Sequence, residues 1–240
     1  MKENRTLMQY FEWYLKPENK LWKKVAINAK YLNAIGITDM WLPPAYKAAG
    51  GKYDAGYAVY DLYDLGEFDQ KGSIETKYGT KDEYLQAIEE LHKNNIKVYA
   101  DIVLNHKIGA DESETVYASQ EETNNRNVDT TLPKKIEAWT IYNFPGRNNK
   151  YSDFKWNYEH FNGTDWDESG RKNGIFRFSG KHWDKNVDKE NGNYDYLMGA
   201  DIDFNNPEVV EELKKWGKWY LNFTGVDAFR LDAVKHIKSG

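Results

Sequence analysis

The 240-residue sequence has no cysteine, which excludes disulfides and thiolate metal sites. No apolar run approaches the roughly 20 residues that cross a bilayer. The first ten residues, Met1-Lys-Glu-Asn-Arg-Thr-Leu-Met-Gln-Tyr10, contain no apolar signal segment. A cytoplasmic protein without a membrane partner is therefore expected, and a mature secreted form would look similar. The net charge of −5 comes without a long acidic block, and no basic stripe marks a nucleic-acid partner.

What the sequence holds in abundance is aromatic: nine Trp and eighteen Tyr. Such rings either fill cores or stack on sugars, and composition by itself favours packing. Leu7 to Tyr14 is rich in β-formers and reads as a first strand. Trp22, Val25, Ala26, Ala29 and Leu32 then recur at helical spacing, with Gly36 closing the helix. Ile37 to Leu42 reads as a second strand, stopped by Pro43-Pro44. The loop from Ala45 to Gly79 is long enough to be functional, and its aromatics argue for order. Thr80-Lys-Asp-Glu83 is a capping box opening a second helix, followed by an apolar strand over Ile96 to Asn105. Between Lys107 and Ala200 helical periodicity vanishes and short β-like pieces appear, as in an inserted subdomain. Asn206-Pro207 begins a third helix with a stripe of Val209, Val210, Leu213, Trp216, Gly217, Tyr220 and Leu221. Gly225 to His236 supplies a fourth strand. Repeated strand–helix–strand units predict a parallel sheet, either a small open one or half of an eight-stranded barrel.

Chemistry gathers at the strand ends. In a strand, Arg230 and Asp232 project to one side, and a guanidinium beside a carboxylate keeps it ionised. An ionised, positioned Asp serves as a nucleophile toward a sugar; an equally weighted reading is a structural ion pair. Asp101 with Asn105-His106 ends the third strand, and Lys235-His236 ends the fourth strand beyond Asp232. In a barrel all would converge on one face. A second constellation is Asp195, Asp201, Asp203, Asp184 and Asn205. Hard oxygens of this kind suit calcium, whereas scattered acids otherwise form a solvated loop. Leu197, Met198, Ile202 and Phe204 interleave with them and imply partial burial.

Asp101-Ile-Val-Leu-Asn-His106, Phe229-Arg-Leu-Asp-Ala-Val-Lys-His236 and Leu197-Met-Gly-Ala-Asp-Ile-Asp203 resemble signature segments of the α-amylase family of glycoside hydrolases. Gln9 to Trp13 and Tyr60 to Phe68 extend the likeness, which runs from Leu7 to Lys238 and is nearest to the bacterial liquefying enzymes. The resemblance implies the first four strand–helix units of a TIM (β/α)8 barrel, with an inserted β-rich domain B after strand three. Residues 1–106 would then begin the barrel, 107–200 form domain B, and 201–240 return to the barrel. It implies Asp232 as nucleophile with Arg230 as its electrostatic partner. Tyr57, Asp101 and His106 would bind the sugar, and Lys235 and His236 would serve the leaving-group side. It further implies Ca²⁺ on Asn105, Asp195, Asp201 and the His236 carbonyl. Asp184 and Asp203 would serve a second Ca²⁺ or a Na⁺ in the same cluster. The chain departs from the pattern by placing Asn162 and Asn205 where the family has acids.

By the same resemblance the family's general acid would lie beyond Gly240. The expectation is an N-terminal portion of an endo-acting, retaining α-1,4-glucan hydrolase, inactive as 240 residues alone. Glu67 and Glu168 are conceivable substitutes for the acid. The implied partner is an α-glucan or maltodextrin, and the full-length protein is expected to be a monomer. The alternatives are a non-catalytic glucan-binding fragment and a related α-glucan transglycosylase.

Overall fold

The computed structural model describes residues 4–238, which divide into two compact units. One unit holds the chain up to Val103 with Pro145–Tyr151 and Lys215–Leu231; the other holds Leu104–Phe144, Ser152–Lys214 and the chain from Asp232. The elements begin with β1 (Leu7–Gln9), α1 (Leu21–Ala34), β2 (Asp39–Leu42), β3 (Lys47–Ala48), β4 (Val59–Asp61), α2 (Lys81–Lys93) and β5 (Lys97–Ile102). They continue through β6 (His106–Lys107), β7 (Glu112–Glu122), β8 (Asn125–Asp129), β9 (Lys134–Ile141), β10 (Phe161–Asp167), β11 (Lys172–Phe178) and β12 (Ala200–Ile202). The last two are α3 (Pro207–Thr224) and β13 (Ala228–Leu231).

In the first unit β1, β2, β5 and β13 form a parallel sheet in that order. Met40, Leu42, Val98, Ala100 and Ile102 are all buried, which is why these strands read as apolar runs. Trp22 of α1 packs against Tyr78 and Tyr84, with ring centroids 5.4 and 4.7 Å away. The capping box closes as its sequence predicts: Glu83 N–H donates to Thr80 Oγ1 (3.4 Å) and Thr80 N–H to Glu83 Oε2 (3.1 Å). Such a cap contributes about 1 kcal/mol. Asn206 Oδ1 accepts the Glu208 N–H at 2.9 Å and starts α3. Trp216 stacks on Phe229 (6.1 Å between centroids), while the hydroxyls of Tyr220 and Tyr84 meet at 2.8 Å. Leu221 is 41% exposed and falls outside the buried stripe.

The strands are shorter than their sequence pattern. β1 stops at Gln9, leaving Trp13 and Tyr14 exposed. β13 stops at Leu231, where its pairing with Ile102 of β5 ends, so Asp232 lies beyond the ladder. Ala233 follows in the left-handed region (φ 56°) and turns the chain into a single 3₁₀ turn at Val234–His236.

The 45–79 loop is ordered by buried charge. Lys47 Nζ donates to the carbonyls of Phe68 (3.2 Å), Ser73 (2.6 Å) and Ile74 (2.6 Å) and lies 3.5 Å from Asp64. Asp64 also accepts the N–H groups of Gly66, Glu67 and Phe68, and Gln70 Nε2 bridges it to Asp61. Arg147 completes this knot with a 2.8 Å bond to Asp61.

The second unit is an antiparallel sheet in the order β6-β12-β10-β11-β7-β8, with β9 also on β7. β7 alternates as a half-buried strand should: Val116 and Ala118 are buried while Thr115 and Tyr117 are exposed. Phe161, Phe176, Phe178, Ile136 and Ala138 fill the same core.

Candidate functional site

In the first unit, parallel register places polar side chains of neighbouring strands together. β13 sets Arg230 opposite Asp101, and β2 carries Trp41 on the other side of β5. Asp101 is buried; its Oδ2 accepts Tyr57 Oη (2.8 Å) and Trp41 Nε1 (3.1 Å), and its Oδ1 accepts Arg230 Nη1 (3.1 Å). Burial pushes the Asp101 carboxyl above its ordinary value, against the pull of Tyr57 and Arg230. The Arg230 guanidinium also lies over the Trp41 ring, 4.8 Å from its centroid. On the outer edge, Tyr57 meets Trp13 at 5.4 Å, and Trp13 is 61% exposed. The arrangement is a buried carboxylate floor beside open ring faces, suited to hold hydroxyls and stack on a sugar. The ion pair between Arg230 and Asp101 went unseen in the sequence because it depends on cross-strand register.

The second unit holds the remaining residues. His106 is buried in β6, paired in register with Asp201, and its Nδ1 lies 3.4 Å from Asn105 Nδ2. His236 is buried with Nδ1 donating to the Tyr194 carbonyl at 2.6 Å. Lys235 is directed to Glu190 (2.8 Å) and lies over the Tyr194 ring. Asp232 opens this turn.

The calcium expectation is corrected by the structure. Among the described residues, no group of three or more His, Cys, Asp or Glu side chains is arranged to hold a metal ion. Asp195, Asp201, Asp184 and Asp203 do come near one another, but donors engage them. Asn162 Nδ2 donates to Asp201 (3.1 Å) and Asp195 (3.5 Å), and the Asp184 N–H donates to Asp195 (2.8 Å). Asn205 Nδ2 donates to Asp184 (2.8 Å), and Lys181 Nζ to Asp203 (2.7 Å). The Asn105 carbonyl accepts the Ile202 N–H at 3.0 Å. The two amides that replace family acids, Asn162 and Asn205, thus supply donors where a cation would need oxygens. Burial pushes Asp195 and Asp201 upward, and repulsion among the acids adds to it. Neither a first Ca²⁺ nor a second Ca²⁺ or Na⁺ is assigned to this chain.

The two substitute acids are also placed. Burial raises Glu67, but hydrogen bonds from Lys150, Lys81 and Tyr151 more than offset it and hold the carboxyl low. Glu168 is held low by the indoles of Trp166 (2.7 Å) and Trp139 (3.1 Å), which both donate to its Oε2. A general acid needs its proton retained, so both carry the wrong shift. The Trp139–Glu168–Trp166 hydrogen-bonded group is one that sequence reasoning missed. Alternation along Glu137-Ala-Trp-Thr-Ile141 was the available signal for the outward Trp139.

The family described as "Alpha amylase, catalytic domain" matches residues 22–240. An α-amylase of Geobacillus stearothermophilus is 58% identical over 237 residues, covering 98% of this chain and 43% of that protein. A cytoplasmic α-amylase of Escherichia coli K12 is 49% identical over 241 residues, covering 98% of this chain and 48% of that protein. The chain thus spans less than half the length of these relatives. Among solved structures, an α-amylase of Geobacillus thermoleovorans complexed with acarbose superposes with a TM-score of 0.51 at 22% identity. That likeness covers 96% of this chain and 38% of the other, and shows the fold alone.

Proposed function

The chain belongs to the α-amylase family, and from that premise we propose that the protein bearing it is an endo-acting, retaining hydrolase of α-1,4-glucans such as starch, glycogen or maltodextrins. In this reading Asp232 is the nucleophile. Its carboxylate bonds to the anomeric carbon as the glycosidic C–O bond breaks, and the leaving oxygen takes a proton from a general acid. Water then attacks the glycosyl ester, gives a proton back to that same group, and releases the sugar with its configuration kept. Glu67 and Glu168 are set aside as that acid by their low-held carboxyls. Asp101 and His106 bind sugar hydroxyls, Tyr57 stacks on the ring, and Lys235 and His236 serve the departing side. Arg230 acts as the electrostatic partner of Asp232.

The observation that carries this reading is the buried Asp101, held by Tyr57, Trp41 and Arg230 on the segment that leads into Asp232. Unlike the buried Asp61 and Asp64, whose partners close them off within the knot, Asp101 is answered by the part-exposed Arg230 and by Tyr57, and barrel enzymes collect their reacting side chains at strand ends. The parallel sheet is accordingly proposed as the first half of an eight-stranded barrel, with 1–106 and 201–240 in domain A and 107–200 as domain B. A monomer in the cytoplasm is proposed. The printed name of the Escherichia coli relative supports the compartment.

The test is Asp232→Asn in the full-length protein, with starch turnover and glucan binding measured side by side. Binding and melting temperature should persist while turnover falls on the order of 10⁶-fold, as when a covalent nucleophile is removed. Turnover within tenfold of the parent, with contamination excluded, would sink the assignment.

A further inference from the structure

Helix α1 has no acid within its first turn, where Lys23 pairs with Glu83 (2.7 Å) and Lys24 with Glu18 (3.2 Å). Its N-cap is Lys20, whose side chain caps nothing, and its first turn contains Lys23 and Lys24 but no acid. The start of a helix carries partial positive charge, so lysines there are unfavourable and an anion is favourable. Beside this turn lies a cavity of 280 Å³ whose wall includes Lys16, Lys20, Lys24, Lys77, Glu12 and Glu18. Four ammonium groups against two carboxylates leave two positive charges. The carboxylates are engaged already: Glu12 Oε2 accepts the Tyr14 N–H (2.5 Å) and Glu18 Oε2 accepts Lys24 Nζ (3.2 Å).

Lys77 is the second, independent observation. It is only 8% exposed, lines the cavity, and among the described residues has no hydrogen bond or ion pair. Lys47, fully buried, has three carbonyls and Asp64 around it. The Lys77 stem is largely buried while its ammonium keeps access to solvent along the cavity wall, where no carbonyl or carboxylate of the described residues meets it, so an anion entering from solvent would answer that charge.

We propose that this cavity binds a phosphate-class oxyanion, as free phosphate or as the phosphate ester of a sugar. Lys77 holds the ion from the wall, and the lysines at the start of α1 supply the remaining charge. Two positive charges in excess match a dianion, and the volume accommodates a phosphate with a sugar attached. Glu12 and Tyr14 flank Trp13, whose ring meets Tyr57, so the cavity adjoins an aromatic edge. Oxyanion binding does not rest on the hydrolase reading.

The experiment uses the full-length protein and its Lys77→Met and Lys20→Gln variants. Inorganic phosphate, glucose 6-phosphate and sodium chloride are titrated at matched ionic strength, with heat of binding and melting temperature as readouts. Phosphate should raise the melting temperature of the parent saturably, because a ligand that binds only the native state stabilises it. Lys77→Met should fold, since it keeps an apolar stem of similar length, and bind phosphate at least about tenfold more weakly. Lys20→Gln, an exposed change that keeps the fold in any event, should weaken binding severalfold. Tighter binding of glucose 6-phosphate assigns the ester; a response to phosphate alone assigns the free ion. A response no larger than that to chloride, or one unchanged in both variants, overturns the proposal.

Discussion

Lys47 with Asp64 in the 45–79 loop, and Arg230 with Asp101 at the strand ends, are ion pairs with buried carboxylates in the same unit. Their surroundings differ. Around Lys47 no charged group keeps an open side, and each finds backbone carbonyls, N–H groups or Gln70. Around Asp101 the partners reach outward: the Arg230 side chain is 38% exposed, and Tyr57 leads to the exposed Trp13. Buried charge that is satisfied on every side fixes a loop. Buried charge with an open aromatic edge is placed to meet something else, since a ligand needs both anchor and access.

The largest effect separating the two regions should come from Asp61→Ala in the knot. It leaves Arg147, fully buried, without its 2.8 Å carboxylate partner. Breaking one side of a buried pair costs about 3–5 kcal/mol, which urea unfolding of the full-length protein would read directly. Turnover by the molecules still folded at low temperature should stay within a few-fold of the parent. A turnover loss matching that of a strand-end variant would erase the distinction drawn here.

Asp101→Asn should do the reverse. The amide still accepts from Tyr57 and Trp41 but no longer answers the Arg230 charge, and the site loses its fixed anion. Losing one preorganised electrostatic group typically lowers turnover about 10²–10³-fold. Stability at neutral pH should hold or rise, because the replaced carboxylate was disfavoured by burial. Steady-state kinetics beside calorimetry decides it; a drop in melting temperature with unaltered kcat/KM would make Asp101 a structural residue.

What could be read in advance follows from range. The apolar runs over Met40–Leu42 and Val98–Ile102, the Thr80–Glu83 box and the Asn206 cap are local, and local chemistry is visible in a string of letters. The Arg230–Asp101 bond spans 129 positions and the Trp139–Glu168 bond 29, and both depend on strand register. The acid cluster failed as a metal site for a related reason. Proximity in sequence identified Asp195, Asp201 and Asp203, but which atoms face them was settled by Asn162 on β10 and by Asn205. Strand ends were overrun because β-forming residues continue past the last paired partner, as at Phe11 and Trp13 beyond β1.

The smallest expected effect sharpens the comparison by sign. Glu67, within the loop, has its carboxyl held below the ordinary value: burial opposes this, but Lys150, Lys81 and Tyr151 prevail. A depressed carboxyl contributes stability that is present above its unfolded value near 4.3 and is lost as pH falls through the folded one. Asp101 is raised, so its contribution is present below its unfolded value near 3.9 and is lost as pH rises through the folded one. Glu67→Gln should therefore be less stable than the parent at pH 7, with the gap closing as pH falls below the ordinary Glu range. Asp101→Asn should gain on the parent as pH rises above the ordinary Asp range. Because Glu67 is partly solvated, its share is a fraction of a kcal/mol to about 1 kcal/mol. Melting curves of parent and both variants across the acid range test it. If the two stability differences run in the same direction with pH, the carboxyls of loop and strand end are not in opposite environments, and the contrast between the regions fails.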